Sequence, residues 1–302
     1  MYERFYGFRE KPFRIVPDPS CIFPSENHRN ALAALQYGLM ENSGFILLTG
    51  EIGSGKTTLV RYVLGRIEKA VHVAFIQNTN LMPADLIGMV LLEFGLPAAG
   101  SKTQDLKTLK GFLSEAFARK RRVLLIIDEA QNLCEEALEE ARLLSNLQSH
   151  RQALMQIMLV GQSGLLEKLK KPSMLQLAQR VAVSYHLRAL TLEETGSYID
   201  FRIARSGGRP EIFSPEAVAL VFELSAGIPR TINLACHAAL VHAFAEGAST
   251  VAAHHVSQIR KDRLSICFHP AGGPTCEKTT SAAGDPPPGN GFDRRLEALE
   301  QQ

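Results

Sequence analysis

A glycine-rich segment has the residue types and the spacing of a phosphate-binding loop. Its sequence is Gly50-Glu51-Ile52-Gly53-Ser54-Gly55-Lys56-Thr57, which follows an apolar run and precedes a helical pattern. Glycines allow successive backbone N–H groups to point at a phosphate, and the N-terminus of the following helix adds a favourable dipole. We expect Lys56 to contact the β- and γ-phosphates, the Thr57 hydroxyl to bind Mg²⁺, and the whole segment as far as Thr58 to bind ATP. The alternative is a chance glycine-rich loop, which the strand–loop–helix context disfavours.

An acidic pair follows a second apolar run about 70 residues downstream. In Leu124-Leu125-Ile126-Ile127-Asp128-Glu129 the apolar residues predict a buried strand. Asp128 then emerges at the carboxyl end of that strand, where ligands bind in open parallel sheets. We expect Asp128 to hold Mg²⁺ and Glu129 to polarise an attacking water. Many strands end in an acid, but the phosphate loop upstream makes nucleotide hydrolysis the favoured interpretation.

Three further residues stand where sensing or catalytic groups are expected. Gln162 follows the apolar run 155–160 and is expected beside the γ-phosphate; the alternative is a loop glutamine that bonds to backbone. Arg180 closes the helical segment 174–179 and could reach the phosphate site of a neighbouring subunit, or it is an ordinary surface arginine. Arg230 follows Pro229, which suits the first turn of a helix. We expect Arg230 to contact the nucleotide, with a simple helix start as the alternative.

Basic clusters and histidines favour structural roles. The runs Arg119-Lys120-Arg121-Arg122 and Lys168-Leu169-Lys170-Lys171 could contact the phosphates of nucleic acid. No aromatic residue is interleaved with either run, so solvated helix ends are the favoured interpretation. The pair His254-His255 and His28 lack the spacing of metal ligands, and we expect them to pack or to cap helices.

The hydrophobic pattern predicts five strands that alternate with helices and then give way to an all-helical region. The predicted strands cover 45–48, 71–76, 123–127, 155–160 and 181–187. The predicted helices cover 56–68, 83–94, 106–118, 137–148, 193–205, 215–224, 230–246 and 252–262. Strands joined by crossover helices predict an α/β three-layer sandwich with a five-stranded parallel sheet, followed by a small helical lid.

Composition divides the chain into four segments. We expect an N-terminal linker and adenine-side segment over 1–43, a P-loop core over 44–190, a helical lid over 191–268 and a tail over 269–302. Residues 271–302 contain five Gly and four Pro, including Pro286-Pro287-Pro288. Such a composition supplies no core and predicts disorder.

The overall composition is that of an ordinary globular protein. Of 302 residues, 45% are hydrophobic and 21% are charged, and the net charge of +2 provides no global attraction to nucleic acid. Five cysteines without a C-x-x-C spacing indicate reduced thiols in the cytoplasm. The N-terminus does not have the pattern of a secretory leader, and no run of 18 apolar residues predicts a membrane span. We expect a cytoplasmic protein, with docking at the inner membrane left open.

Several of these segments resemble the ExeA-like secretion ATPases of Gram-negative bacteria. The resemblance covers about residues 1–265 and is carried by Met1 to Phe13 with Pro17-Asp18-Pro19 and His28, by Thr49 to Thr58, by Ile127 to Leu133, and by Gly227-Ile228-Pro229-Arg230. It implies an AAA+ ATPase with the P-loop fold, sheet order 5-1-4-3-2 and activity as an oligomer. It also implies that Phe13 to His28 line the adenine side, that Gln162 is the first sensor and Arg230 the second, and that Arg180 is a finger supplied to the neighbouring subunit.

The sequence departs from the family in two ways. Members commonly have Pro-Glu after the sensor Gly-Gln, whereas Ser163-Gly164 follow here. Long members carry a transmembrane segment and a peptidoglycan-binding domain after the ATPase, and this sequence contains neither. It therefore resembles the short form, the secretion ATPase found beside exosortase/PEP-CTERM and exopolysaccharide export genes.

Three functions remain open at this point. The first is a homo-oligomeric ATPase that energises or assembles an envelope secretion or exopolysaccharide export system, with an inner-membrane or secretion-system protein as its partner. The second is a DNA-binding ATP switch similar to the ATPases that select targets for transposition. The third is a nucleotide-dependent scaffold with little turnover, which the presence of Glu129 disfavours. The near-neutral charge and the resemblance favour the first.

Overall fold

Five apolar runs form one parallel sheet. A computed structural model of the chain describes residues 2–15, 22–41, 44–66, 71–77, 79, 81–149 and 152–261. The predicted tail lies outside these residues. The strands of the sheet are β1 (Phe45–Gly50), β2 (Val71–Ile76), β3 (Arg122–Ile127), β6 (Gln156–Gly161) and β7 (Val181–Leu187), and a two-stranded hairpin is formed by β4 (Gln148–Ser149) and β5 (Gln152–Ala153).

Helices connect the strands and then form a separate C-terminal layer. Before and between the strands lie α1 (Tyr2–Phe5), α2 (Glu26–Glu41), α3 (Lys56–Leu64), α4 (Pro83–Glu93), α5 (Lys102–Ala118), α6 (Glu135–Ser145), α7 (Ser163–Leu169) and α8 (Leu175–Ala178). After the last strand lie α9 (Leu192–Arg205), α10 (Pro215–Ser225), α11 (Pro229–Ala245) and α12 (Ala253–Lys261). The predicted fold class, a P-loop α/β sandwich with a helical lid, is therefore confirmed.

The order of the strands brings the ends of β1, β3 and β6 together. The sheet order is β2-β3-β6-β1-β7, and every pairing is parallel. Counted over the five sheet strands, this is the predicted order 5-1-4-3-2. Ile127 pairs with Leu159 and Thr49 pairs with Gly161, so the three strands end at the same edge. The residues that follow these strands can therefore meet in one site.

Alternation along β3 explains its unbroken apolar sequence. Val123, Leu125 and Ile127 face the cluster formed with α4, α5 and α6. Leu124 and Ile126 face the opposite cluster, which includes residues of α2 and α3. Because both faces are covered, every residue of the strand after Arg122 is buried. The result is the three-layer arrangement expected from the sequence.

The predicted helix bounds differ from the structure at several ends: α3 ends at Leu64 instead of 68, and α5 begins at Lys102 instead of 106. The helix expected to reach 148 ends at Ser145, and the β4–β5 hairpin follows it. The Leu154 N–H donates to the Leu147 carbonyl at 3.0 Å and closes this hairpin. Because local backbone bonds hold the hairpin, no apolar pattern in the sequence indicates it. Helix α7 has seven residues and directly follows Gln162. It is too short to produce a recognisable helical period, and the sequence analysis did not assign it.

The N-terminal residues are built into the lid. Tyr2, Phe8 and Phe13 are buried in the same cluster as the apolar residues of α9 to α12. In contrast, α2 contributes Ala31 and Leu35 to the cluster on the sheet. The segment predicted as a single linker therefore begins in the lid and ends against the sheet. All described residues belong to one compact unit, 1–269.

Candidate nucleotide-binding site

A cavity of about 460 Å³ opens at the carboxyl edge of the sheet, between the β1–α3 loop, the end of β3 and the lid. One part of its wall is formed by residues of the predicted phosphate loop and the helix after it: Gly53, Ser54, Gly55, Lys56, Thr57 and Thr58. Gly50 and Glu51, also predicted to bind nucleotide, are not among the described wall residues. The cavity therefore coincides with the motif that the sequence singled out.

Left-handed glycines shape the phosphate loop. Gly53 has φ 83° and Gly55 has φ 101°, a region that glycine enters without strain. A Cβ on Gly53 would lie 2.6 Å from the Cβ of Arg230, so a side chain at position 53 would collide with the lid. The Oγ of Ser54 is buried and has no hydrogen-bond partner among the described residues. The loop thus presents backbone and an unsatisfied polar atom, which fits an oxygen-rich ligand.

Lys56 is buried and turned back onto its own loop. Its side-chain Nζ donates to the Gly50 carbonyl at 2.8 Å and to the Glu51 carbonyl at 2.9 Å. Burial lowers the pKa of Lys56 below its ordinary value, while Glu129 and Asp128 act in the opposite direction. These carbonyl bonds hold the ammonium at the start of α3.

Thr57 and Asp128 converge from different elements. The Thr57 hydroxyl donates to Asp128 Oδ2 at 2.8 Å, which joins the first turn of α3 to the end of β3. The other carboxylate oxygen, Oδ1, accepts from the Glu129 backbone N–H at 3.0 Å. A hydroxyl and a carboxylate are the oxygen ligands that Mg²⁺ takes from P-loop proteins. The two residues predicted to bind Mg²⁺ therefore fit that ion.

Glu129 stands at the cavity with its carboxylate held by amides. It has a left-handed backbone, φ 52° and ψ 37°, which is uncommon for a residue other than glycine. Its Oε2 accepts from Gln131 Nε2 at 2.6 Å and from Gln162 Nε2 at 3.1 Å, and its carbonyl accepts from the Thr79 hydroxyl at 3.0 Å. Neither Gln131 nor Thr79 was predicted from the sequence. The feature that could have indicated Gln131 is a polar residue two positions after Glu129.

The three sensing or finger candidates occupy different places. Gln162 contacts Glu129 and is not among the described residues of the cavity wall. Arg230 lies in that wall, and its backbone N–H donates to the Gly53 carbonyl at 3.2 Å. Arg180 is half-buried and donates from Nη1 to Ser145 Oγ at 3.2 Å, outside the described wall. The roles assigned to all three stay predictions.

The lid and the N-terminal segment form the other side of the cavity. Its described residues include Arg14, Ile22, Phe23, Tyr198, Arg202 and Asn233. Arg202 Nε donates to the Pro12 carbonyl at 2.8 Å, which ties α9 to the N-terminal segment. Sequence reasoning missed Tyr198, Arg202 and Asn233, since they lie far along the chain from the segment that they contact.

The adenine-side segment predicted from the resemblance is partly described. His28 lies in the cavity wall, whereas 16–21 are outside the described residues. Its Nδ1 is 2.7 Å from Ser25 Oγ, and burial lowers its pKa below the ordinary value. The Ser25 hydroxyl oxygen also accepts from the His28 backbone N–H at 3.2 Å, which caps α2. His28 therefore combines a capping contact with a place beside the nucleotide cavity.

The second basic run is paired with acids. Lys170 lies 3.2 Å from Glu167, and Lys171 lies 2.7 Å from Glu135. Lys168 donates to the carbonyls of Gln131 and Leu133. These contacts fit the interpretation as a solvated helix end and offer no support for a nucleic-acid surface.

The histidine pair after α11 caps a helix. Glu246, His254 and His255 have ligand atoms within 4.8 Å of one another. However, His255 Nδ1 accepts from the Ala252 backbone N–H at 2.9 Å. The ring proton is therefore on Nε2, which is 3.1 Å from Glu246 Oε2 and has no lone pair for a metal. The expectation of a capping residue agrees with this contact.

Comparisons with known proteins agree with this geometry. Residues 39–169 match the family model of the AAA domain. General secretion pathway protein A of Aeromonas hydrophila is 40% identical in an alignment of 273 residues, which covers 87% of this chain and 50% of that protein. The chain thus spans about half the length of this curated relative.

Solved structures share the fold at low sequence identity. The ORC2 protein of Aeropyrum pernix has a TM-score of 0.63 at 20% identity, with 84% of this chain and 72% of that chain covered. Cdc6p of Pyrobaculum aerophilum has a TM-score of 0.60 at 18% identity, with 82% and 72% covered. These similarities show that the fold is shared.

Removing the Lys56 ammonium should weaken nucleotide binding. Lys56→Ala leaves the loop backbone in place but deletes a buried, charge-assisted donor, so affinity for an ATP analogue should fall at least about tenfold. Titration calorimetry measures this. Lys110→Ala, which removes an exposed lysine of α5, is the charge-matched control and should bind normally. Equal affinity of the Lys56→Ala variant and the control would refute the phosphate-loop assignment.

Proposed function

The chain is an ExeA-like AAA protein with a P-loop nucleotide-binding fold, and we propose that it is an Mg²⁺-dependent ATPase. The observation that carries this proposal is that Thr57 and Glu129 lie in the cavity wall beside Lys56, while Asp128, outside the described wall, is hydrogen-bonded to both Thr57 and Glu129. A scaffold that only binds nucleotide would need no second acid next to the one bonded to Thr57. Glu129 supplies that second acid within the wall of the same cavity.

The residues divide the chemistry among them. Thr57 and Asp128 would hold Mg²⁺, which neutralises negative charge on the phosphates when it is bound. Lys56 exchanges its bonds with the Gly50 and Glu51 carbonyls for oxygens of the terminal phosphates. Glu129 Oε2 stays hydrogen-bonded to its two amide partners. Its Oε1, which has no hydrogen bond among the described residues, accepts a proton from the attacking water. Arg230 closes the lid side of the site.

We further propose that hydrolysis drives a bacterial envelope secretion or exopolysaccharide export system. The support is the relative named General secretion pathway protein A, which is 40% identical to this chain over 87% of its length. In the described part of the chain, no helix has the length and apolarity that a bilayer crossing requires. We propose that the chain acts as a homo-oligomer that docks from the cytoplasm onto an inner-membrane partner.

Turnover should depend on the charge of Glu129. Glu129→Gln keeps the shape and one hydrogen-bond acceptor but loses the negative charge that takes up the proton. ATP should still bind, while single-turnover hydrolysis should fall on the order of 10²-fold or more. Glu136→Gln, which changes an exposed acid of α6, should hydrolyse at the normal rate. Hydrolysis by Glu129→Gln at the rate of this control would exclude Glu129 as the catalytic carboxylate.

Arg180 should act on a neighbouring subunit. It lies outside the described wall of its own cavity, so Arg180→Ala should bind ATP normally but hydrolyse it on the order of 10²-fold more slowly. Added Lys56→Ala subunits, which keep Arg180, should restore turnover in a mixed phosphate-release assay. Arg119→Ala is the control for loss of an arginine. Normal ATP binding without rescue of turnover, in mixtures shown to co-assemble, would exclude a role for Arg180 in the site of a neighbouring subunit.

Export in the source bacterium should fail when turnover is blocked. A chromosomal Glu129→Gln replacement should lower the amount of exported protein or polysaccharide, whereas Glu136→Gln should not. Unchanged export would contradict the proposed process. ATP-dependent binding of the purified chain to duplex DNA, with affinity that falls steeply as salt rises, would instead favour the DNA-binding switch.

A further inference from the structure

The side chain of Gln131 bridges the ends of two strands of the sheet. Its Nε2 donates to Glu129 Oε2 at 2.6 Å, and its Oε1 accepts from the Gln162 backbone N–H at 3.0 Å. Gln162 Nε2 donates to the same Glu129 oxygen at 3.1 Å. The three residues therefore form a closed ring of hydrogen bonds, in which both ends of the Gln131 amide are used.

The surroundings of Gln131 are built to keep this ring together. A Cβ on Gly161 would lie 2.9 Å from Gln131 Oε1, so the glycine at the end of β6 leaves room for the amide. Lys168 of α7 donates to the Gln131 carbonyl and to the Leu133 carbonyl, at 2.7 Å in the second case. The short 3-10 turn 130–132 is thus fixed through its backbone while its side chain reaches across to β6.

The ring of hydrogen bonds contacts Glu129 outside the described wall of the cavity. Glu129 belongs to the cavity wall, and neither Gln131 nor Gln162 is among the described residues of that wall. The two amides occupy Oε2 and leave Oε1 for a ligand in the cavity. The backbone of Glu129 is in the left-handed region, a conformation that persists where surrounding contacts hold the residue in place.

We propose that Gln131 is a positioning residue for ATP hydrolysis, which fixes the orientation of the Glu129 carboxylate without contacting the nucleotide. This inference rests on the proposed ATPase function and adds a residue to its machinery. The physical reason is that general-base catalysis requires a proton acceptor within hydrogen-bond reach of the water. A carboxylate free to rotate spends little of its time there, and a displacement of about 1 Å can cost on the order of 10² in rate.

Gln131→Met tests the proposal because methionine has a similar length and cannot form either hydrogen bond. We expect kcat to fall about 10- to 100-fold while KM and the Kd for ATP stay unchanged. In the Glu129→Gln background the same substitution should have little further effect on single-turnover hydrolysis, because Gln131 acts through the charged carboxylate. Melting temperatures of all variants should match.

Gly161→Ala is a second variant that keeps Gln131 itself. The added methyl group would lie 2.9 Å from both Gln131 Oε1 and Leu165 Cδ2, so the amide must move away from the end of β6 and Leu165 must repack. We expect kcat to fall again with an unchanged Kd. Gly164→Ala, where an added Cβ meets no atom within 4 Å, is the matched control and should be fully active. The comparison of Gly161→Ala with Gly164→Ala shows whether loss of the Gln131 bridge slows hydrolysis when the Gln131 side chain itself is unchanged.

The outcomes are distinguishable. Slow hydrolysis by Glu129→Gln together with normal kcat for Gln131→Met would overturn this inference and leave the ATPase proposal standing. Equal losses from Gln131→Met in both backgrounds, or a lowered melting temperature, would make Gln131 structural and overturn it as well. A wild-type chain without ATP hydrolysis, or full turnover by Glu129→Gln, would overturn both.

Discussion

The hydrogen bond between the Thr57 hydroxyl and Asp128 Oδ2 is the contact on which the site depends. It joins α3 to β3, although β6 lies between β1 and β3 in the sheet. Because all strands of the sheet are parallel, the start of α3 and the end of β3 lie at the same edge. The bond then places an oxygen pair for a cation next to the buried ammonium of Lys56 and the carboxylate of Glu129.

The lid is joined to the site by hydrogen bonds to backbone carbonyls as well as by apolar packing. Arg230 N–H reaches the Gly53 carbonyl, and Arg202 reaches the Pro12 carbonyl. The first contact ties α11 to the phosphate loop, and the second ties α9 to the N-terminal segment. A ligand in the cavity would therefore touch elements from both ends of the described chain. This arrangement explains why residues far apart in sequence share one wall.

The sequence predicted the parts that depend on local pattern. Apolar runs located the five strands, and the loop motif and Glu129 located part of the cavity wall. The β4–β5 hairpin and α7 were missed because each is too short for a hydrophobic period to be recognised. Gln131 was missed for another reason: its contact with Gln162 depends on the spacing of β3 and β6, which no local pattern encodes. The same limit applies to Tyr198 and Asn233, whose place in the wall is set by lid packing.

We propose that one site, formed by the phosphate loop and the two acids, binds ATP with Mg²⁺ and hydrolyses it. Phosphate release from ATP by the wild-type chain, measured in single turnover with Mg²⁺ and with Mg²⁺ removed by a chelator, tests this directly. Release should require Mg²⁺ and should return when the ion is restored. Nucleotide that stays intact with Mg²⁺ present, or release that is equal without it, would show that this site is not an Mg²⁺-dependent ATPase.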